Sequence, residues 1–314
     1  MKIYHSLDSF HKLKYAVVTS GTFDGVHIGH KKILSRLNEI SEQSGGESVV
    51  LTFWPHPRMV VSEDSQELQL LSTIDEKIEL FSQLGIQHLG IIPFTRSFSE
   101  LSSEEFIQQV LVDKIGTKKL VIGYDHRFGR NREGSFEFLK KNCSQYGFEV
   151  EEIPRQDIED LAISSSRIRK ALLTGHITEA NELLGRPYTI SGTVVKGKQL
   201  GRTIGFPTAN VHPDESYKLI PQNGVYVIQA TYDGEIFNGM LNIGVRPTVD
   251  GTSRTIEANL FDFDKEIYGE ELRLELLHYI RPEQKFEGLP ALIAQINADR
   301  ESTLNFFINH KLVS

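Results

Sequence analysis

Between residues 15 and 154 the chain switches repeatedly between two hydrophobic periods, and this alternation constrains the fold more than any other feature. The runs "YAVVTSG", "ESVVLTFW", "HLGIIPF", "KLVIGYDH" and "FEVEEIP" are short and rich in branched residues. They read as strands buried on both faces. Between them lie helical patterns. One starts near His30 and carries Ile33, Leu34, Leu37 and Ile40 on a single stripe of 3.6-residue period. A second, "TIDEKIELFSQLG", has acidic residues in its first turn and Gly85 as its stop. "SSEEFIQQVLVDKIG" repeats the design, with Ser102 or Ser103 as cap and Gly116 as stop. Strand-helix alternation of this kind specifies a doubly wound α/β domain, a mostly parallel sheet covered on both faces.

After a helical stretch over about 166–184 the pattern changes. From "YTISGTVVKG" onward, strand-like pieces are separated by Gly, Pro, Asn and Asp turns, including a hairpin signal at Asp233-Gly234. The last segment, from about Leu289, places Leu292, Ile293, Ile296, Leu304 and Phe307 in helical register. The second half therefore reads as an antiparallel barrel or sandwich followed by a C-terminal helix. Gly185 and Pro187 break the last helix of the first half, which sets the expected domains at 1–184 and 185–314.

Bulk properties narrow the function classes. A chain of 314 residues with 39% hydrophobic and 24% charged residues has material for two buried cores. A formal charge of -8 argues against sequence-independent attraction to nucleic acid or an anionic membrane. Cys143 is the single cysteine, which excludes an internal disulfide and a thiolate-built zinc site. The N-terminal residues form no apolar signal region and no segment reaches eighteen uninterrupted apolar residues, so a cytoplasmic setting without membrane partners is expected.

The chemistry of the first half centres on "GTFDGVHIGH", residues 21–30. A strand ends, a loop with Gly21 and Gly25 follows, and a helix begins. In a doubly wound sheet that corner collects ligands, and the helix N-terminus favours anions. His27 and His30 flank Gly29, where a phosphate can come close to the backbone. Paired imidazoles there can donate to a phosphoryl group in its transition state. A metal site needs further ligands, and a capped turn with two solvated histidines is the plain alternative. Behind it, "ISSSRIRK" (163–170) puts three hydroxyls and two arginines at another helix start, with Arg169 suited to clamp pyrophosphate. "WPHPR" (54–58) and "GYDHRFGRNREG" (123–134) end predicted strands and could ring the same crevice.

In the second half, "GTVVKGKQ" (192–199) nearly fits a phosphate-binding P-loop. Gln199 lacks the required hydroxyl, and the following residues do not read as a helix. "GKQLGRTIGFPTAN" is better taken as one unit. Gly197, Gly201 and Gly205 give a loop able to fold over phosphates, and Lys198 and Arg202 add charge. After Pro207, Thr208 and Asn210 alternate to one side of an extended segment and offer oxygen ligands to a hard cation such as Mg²⁺. Glu257 stands between Ile256 and Ala258, as a general base or as part of a solvated strand face.

"GTFDGVHIGH", "WPHP", "GYDHRFGRNREG" and "ISSSRIR", with "GRTIGFPTAN", "NIGVRPT" (242–248), "TIEANLFDFDKEIYGEEL" and "RPEQKF" (281–286), together resemble the bacterial bifunctional riboflavin kinase/FAD synthetases. The resemblance implies an α/β architecture: a doubly wound nucleotidylyltransferase domain of the HxGH type, then an antiparallel β-barrel flavokinase domain with a C-terminal helix. It implies that His27 and His30 stabilise the transferring phosphoryl group of ATP, with Gly21, Phe23, Asp24 and Gly29 in the ATP site. Ser165, Ser166 and Arg169 would hold the distal phosphates, while His56, Asp125 and Phe128 would line the flavin and nucleotide site. No role follows for His126, where many members have an aromatic residue. In the kinase half, Gly197, Lys198, Gly201, Arg202, Gly205 and Pro207 would bind ATP. Thr208 and Asn210 would hold Mg·ATP, and Glu257 would deprotonate the ribityl 5′-hydroxyl. Asn242 and Arg281 would contact the flavin. Ala258-Asn259 replaces the Val-His of many members. The implied ligands are riboflavin, FMN, FAD and ATP. Two rival readings lack their marks: a class I aminoacyl-tRNA synthetase needs a lysine-rich second signature, and a redox flavoprotein needs a Gly-x-Gly turn that the chain does not contain.

Overall fold

The computed structural model describes residues 1–62, 68–124, 126–153, 163–197, 199–248 and 251–310. They fall into two compact units, Met1–Ser165 and Ser166–Ser314.

In the first unit the described strands are β1 (Lys2–Tyr4), β2 (Ala16–Ser20), β3 (Glu47–Trp54), β4 (His88–Pro93), β5 (Thr117–Gly123) and β6 (Glu149–Ile153). All neighbours pair in parallel, in the order β1-β4-β3-β2-β5-β6. The chain steps outward from β2 through β3 to β4, then returns to lay β5 on the other side of β2. The doubly wound expectation holds, and its topological switch lies between the carboxyl ends of β2 and β5. Strand β1, too short and too exposed to show a pattern, is an addition to the expected set.

The helix Ile28–Ser44 buries Ile33, Leu34, Leu37 and Ile40 on one face of the sheet, as its stripe predicts. The Ile74–Gln83 helix joins it there with a Thr73–Glu76 capping box. Residues of the 106–115 segment cover the opposite face together with Leu139 and Phe148. That segment differs from an ordinary helix, because Phe106–Ile115 winds as a π-helix. Its buried positions Phe106, Ile107, Val110, Leu111 and Ile115 fall on one face only when the turn is wider than 3.6 residues. Each fully buried aliphatic side chain in these layers contributes about 1.5–3 kcal/mol.

The second unit opens on the helices Ser165–Leu173 and Ile177–Leu184, broken at Gly175 (φ +76°). This helix pair binds the strands that follow: the Asn181 side chain donates to Leu276 O (2.8 Å) and accepts from Tyr188 N (2.7 Å). Strands β7 (Tyr188–Val195), β8 (Ala209–Pro213), β9 (Gly224–Tyr232), β10 (Glu235–Thr248), β11 (Gly251–Leu260) and β12 (Glu271–Arg281) close into a barrel in the order β10-β11-β8-β7-β12-β9. The choice between barrel and sandwich is thereby settled. Buried Leu241, Ile243, Ile256, Ala258 and Val211 fill the interior and alternate with polar residues on the outer wall. The helix Leu289–His310 follows, but not on the expected apolar stripe alone. Its buried residues are Asp299 and Thr303, and Leu304 is exposed.

Candidate active sites

The loop after β2 is bent by three successive features of positive φ, at Phe23 (48°), Gly25 (83°) and Val26 (39°). The bend is held from below. Buried Asp24 accepts N–H bonds from Leu71 (2.9 Å) and Ser72 (3.2 Å), while Ser72 Oγ accepts from Gly25 N (2.9 Å). Buried Lys77 donates to Thr22 O at 2.9 Å. Asp24, expected in the ATP site, thus serves as a strut of the loop. Gly21 donates to Leu51 O (3.0 Å), and Gly29 is buried in the first helical turn.

His27 caps the Ile28–Ser44 helix, its Nδ1 accepting from His30 N at 3.3 Å. This bond fixes the neutral ring with its proton on Nε2. The two imidazoles stack with centroids 3.6 Å apart, and Phe23 meets His30 edge-on at 5.2 Å, backed by Phe81. His30 Nδ1 is buried without a hydrogen-bond partner. Burial, then the neighbouring His27 and Lys77, hold the His30 imidazole well below its ordinary range.

The switch brings β5 to the same corner: His126 Nε2 lies 3.4 Å from Ser20 Oγ at the end of β2. His126 also stacks on Phe128 at 5.8 Å, and Phe128 packs in an aromatic group with Phe106 and Phe138. Asp125 lies outside the described residues. His56 is buried at the head of the short Pro57–Val61 helix, accepting from Arg58 N at 3.2 Å. Ser165 joins the corner directly, its Oγ donating to Asp24 O at 3.0 Å. Ser166 and half-buried Arg169 follow on the same helix.

On the barrel, one row of side chains crosses three strands. Asn210 on β8 is directly opposite Glu257 on β11, and Glu257 is directly opposite Asn242 on β10. Opposed residues share a face, here the outer wall. Thr208 precedes Asn210 by two positions and shares its side. A Cβ at Gly197 would run into the Asn210 amide, so the glycine loop lies directly on the row. Lys198 lies outside the described residues. The loop turns at Gln199 (φ +56°), forms the single helical turn Leu200–Thr203, and closes with Phe206 N donating to Gly201 O (2.8 Å). Arg202 and Pro207 are exposed, and Gly205 has φ +86°. Glu283 reaches the row from the other side, its carboxylate over Gly244 beside the Asn242 amide.

Arg281, expected at the flavin, is tied to the C-terminal helix. Its guanidinium makes a bidentate pair with buried Asp299 (2.8 and 2.7 Å) and donates to Pro282 O (3.0 Å), which anchors the C-terminal helix.

The FAD synthetase family matches residues 9–167, and the riboflavin kinase family matches residues 184–307. The bifunctional riboflavin kinase/FMN adenylyltransferase of Listeria monocytogenes is 40% identical over 292 residues, covering 93% of this chain and 92% of the relative. That of Bacillus subtilis is 38% identical over 322 residues, covering 98% and 99%.

This chain belongs to the bifunctional riboflavin kinase/FMN adenylyltransferase family.

A solved chain titled macrolide-efflux protein, from Streptococcus pneumoniae, superimposes with a TM-score of 0.89 at 31% identity, covering 97% of this chain and 98% of that one. Among the described residues no helix here is long and apolar enough to cross a membrane. Within the family frame, the β2–β5 corner falls in the adenylyltransferase segment and the Asn210–Glu257–Asn242 row in the kinase segment.

Sequence reasoning passed over Lys77, Ser72 and Glu283, and gave Asn259 no role. Lys77 left a signal: it sits with Ile74, Ile78 and Phe81 on the apolar face of its helix, where a charge needs a reason. Asn259, two residues beyond Glu257, donates Nδ2 to Pro207 O at 2.6 Å. Ser72 and Glu283 act through contacts that no local pattern encodes.

Proposed function

We propose that this chain makes FAD in two steps, riboflavin plus ATP to FMN and ADP, then FMN plus ATP to FAD and pyrophosphate. One observation carries the reading: each family segment gathers its own phosphate-handling residues in one place, the stacked His27–His30 pair in the first and the Asn210–Glu257–Asn242 row in the second. The adenylylation step is assigned to residues 1–184 and the kinase step to 185–314.

In the kinase step Glu257 takes the proton of the ribityl 5′-hydroxyl as its oxygen bonds to the γ-phosphorus and ADP leaves. Thr208 and Asn210 offer neutral oxygen donors beside a carboxylate, a set that fits a hard cation also held by ATP phosphates. Mg²⁺ bound there would offset phosphate charge. The loop of Gly197, Lys198, Gly201, Arg202 and Gly205 covers the ATP phosphates, while Asn242 orients the flavin.

In the second step an FMN phosphate oxygen bonds to the α-phosphorus of ATP, and pyrophosphate leaves. Neutral His27 and His30 donate hydrogen bonds to the phosphoryl oxygens as charge builds on them. Ser165, Ser166 and Arg169 hold the departing pyrophosphate, and His56, Asp125 and Phe128 line the flavin and nucleotide pocket. The protein works in the cytoplasm, without nucleic-acid or membrane partners. Incubation with riboflavin, Mg²⁺ and ATP, followed by chromatography, yields FMN first and FAD after it. Absence of both products overturns the reading.

A further inference from the structure

The ladder between β8 and β11 is short: Glu257 pairs with Asn210 and Ala258 with Ala209. Upstream it has to stop, because Pro207 has no N–H to give. At that point a side chain replaces the backbone. Asn259 Nδ2 donates to Pro207 O at 2.6 Å, and Asn259 is only 8% exposed. Asn259 lies two residues beyond Glu257, on the same side of β11. Thr208 lies two residues before Asn210, on the same side of β8.

The segment 207–210 is thus pinned to β11 at both ends, by the Asn210–Glu257 pair and by the Asn259 amide. Between the pins lies Thr208. Immediately before them the chain turns: Gly205 has φ +86°, and a Cβ there would meet open space. The Asn259 bond therefore marks where the glycine loop ends and the donor strand begins.

We propose that Asn259 is a positioning residue of the kinase site, setting Thr208 and Asn210 at a fixed separation from Glu257. This rests on the assignment of Glu257 as base and of Thr208 and Asn210 as the ATP-side donors. Loss of the bond frees the Pro207–Thr208 peptide to turn, and misplacement of a reacting group by about 1 Å can cost ~100-fold in rate.

The test compares Asn259→Leu, which keeps the volume and removes the donor, with Asn259→His, whose Nδ1 occupies nearly the place of the asparagine Nδ2. The leucine variant should lower kcat for riboflavin phosphorylation by about tenfold to ~100-fold with KM for riboflavin near parental. Hydrogen-deuterium exchange should quicken in peptides covering 206–211. The histidine variant should restore both, and adenylylation of supplied FMN should stay parental throughout as a check of folding. Asn259→Ala makes the same comparison if leucine disturbs the barrel. Parental kcat in the donor-free variants overturns the proposal, as does a loss that histidine does not repair while exchange is unchanged. Failure of the underlying assignment shows separately, as parental kinase activity in Glu257→Gln.

Discussion

Glu257 and Asn210 stand directly opposite one another on neighbouring antiparallel strands, so a carboxylate and an amide far apart in sequence share one small area of the barrel's outer wall. Their neighbours along each strand, Ile256, Ala258 and Val211, point the other way into the core. The alternation separates the two tasks: a change on the polar side alters chemistry while the apolar side keeps the fold.

Glu257→Gln should therefore fold normally and lose riboflavin phosphorylation by about two to four decades, the usual worth of a general base. Adenylylation of supplied FMN should be intact. Following FMN and FAD separately by chromatography decides it, and parental FMN formation would remove Glu257 from its role.

The opposite selectivity is expected in the first unit. His30→Ala should lower FAD formation from FMN by on the order of two to three decades, as for loss of one preorganised donor. Riboflavin phosphorylation should persist at the parental rate.

Lys77 presents a buried cation that donates to Thr22 O beneath the loop. Lys77→Met replaces it with an apolar chain of similar length and leaves buried Asp24 without that neighbouring cation, which should cost about 3 kcal/mol, a loss that a domain of ordinary stability survives folded. Adenylylation should nevertheless fall about tenfold or more, because the loop loses its tie and the corner loses positive potential. Urea unfolding paired with FAD assays would show the split. Equal losses in both would make Lys77 a purely structural residue.

The Arg281–Asp299 pair should behave as a stability element. Arg281→Met leaves the buried Asp299 carboxylate without its cation and should cost about 3 kcal/mol. The double variant Arg281→Met/Asp299→Leu should recover most of that. Denaturant titrations of the three proteins check the cycle.

Burial, with Arg132 and Arg127 nearby, pushes the His126 imidazole from 6.5 down to about 4. Above pH 6.5 the ring is neutral in folded and unfolded chains alike, and its full contribution to stability is present. As pH falls from 6.5 to about 4 the unfolded chain binds the proton first, and stability is lost. His126→Phe removes that share. Its unfolding free energy should fall less than the parent's between about pH 7 and about pH 5; parallel curves would contradict the neutral ring.

How far the sequence could be read depended on the range of each interaction. The Ile33–Leu34–Leu37–Ile40 stripe, the Ser102 cap and the Asp233-Gly234 hairpin are local, and the structure reproduces them. The adenylyltransferase corner was recognisable because the strand, loop and helix that form it are consecutive. Its supports were not. Ser72 and Lys77 reach the loop across about fifty residues, and nothing in either segment records the partner. Arg281 is a similar case: its motif position suggested a ligand, but its ion pair with Asp299 on another element was not legible. The barrel, rather than a sandwich, is set by closure between β9 and β10 on one side and β9 and β12 on the other, which no single strand encodes.

The return of β5 to the flank of β2 has a consequence for synthesis on the ribosome. A nascent chain can pair β2, β3 and β4 as they emerge, yet one edge of β2 stays open until Thr117–Gly123 has left the tunnel. During that interval the edge and the residues around His27 lack their neighbour, and an open edge invites pairing with other chains. The corner around His27 is thus sealed only after β5 has followed β4 out of the tunnel.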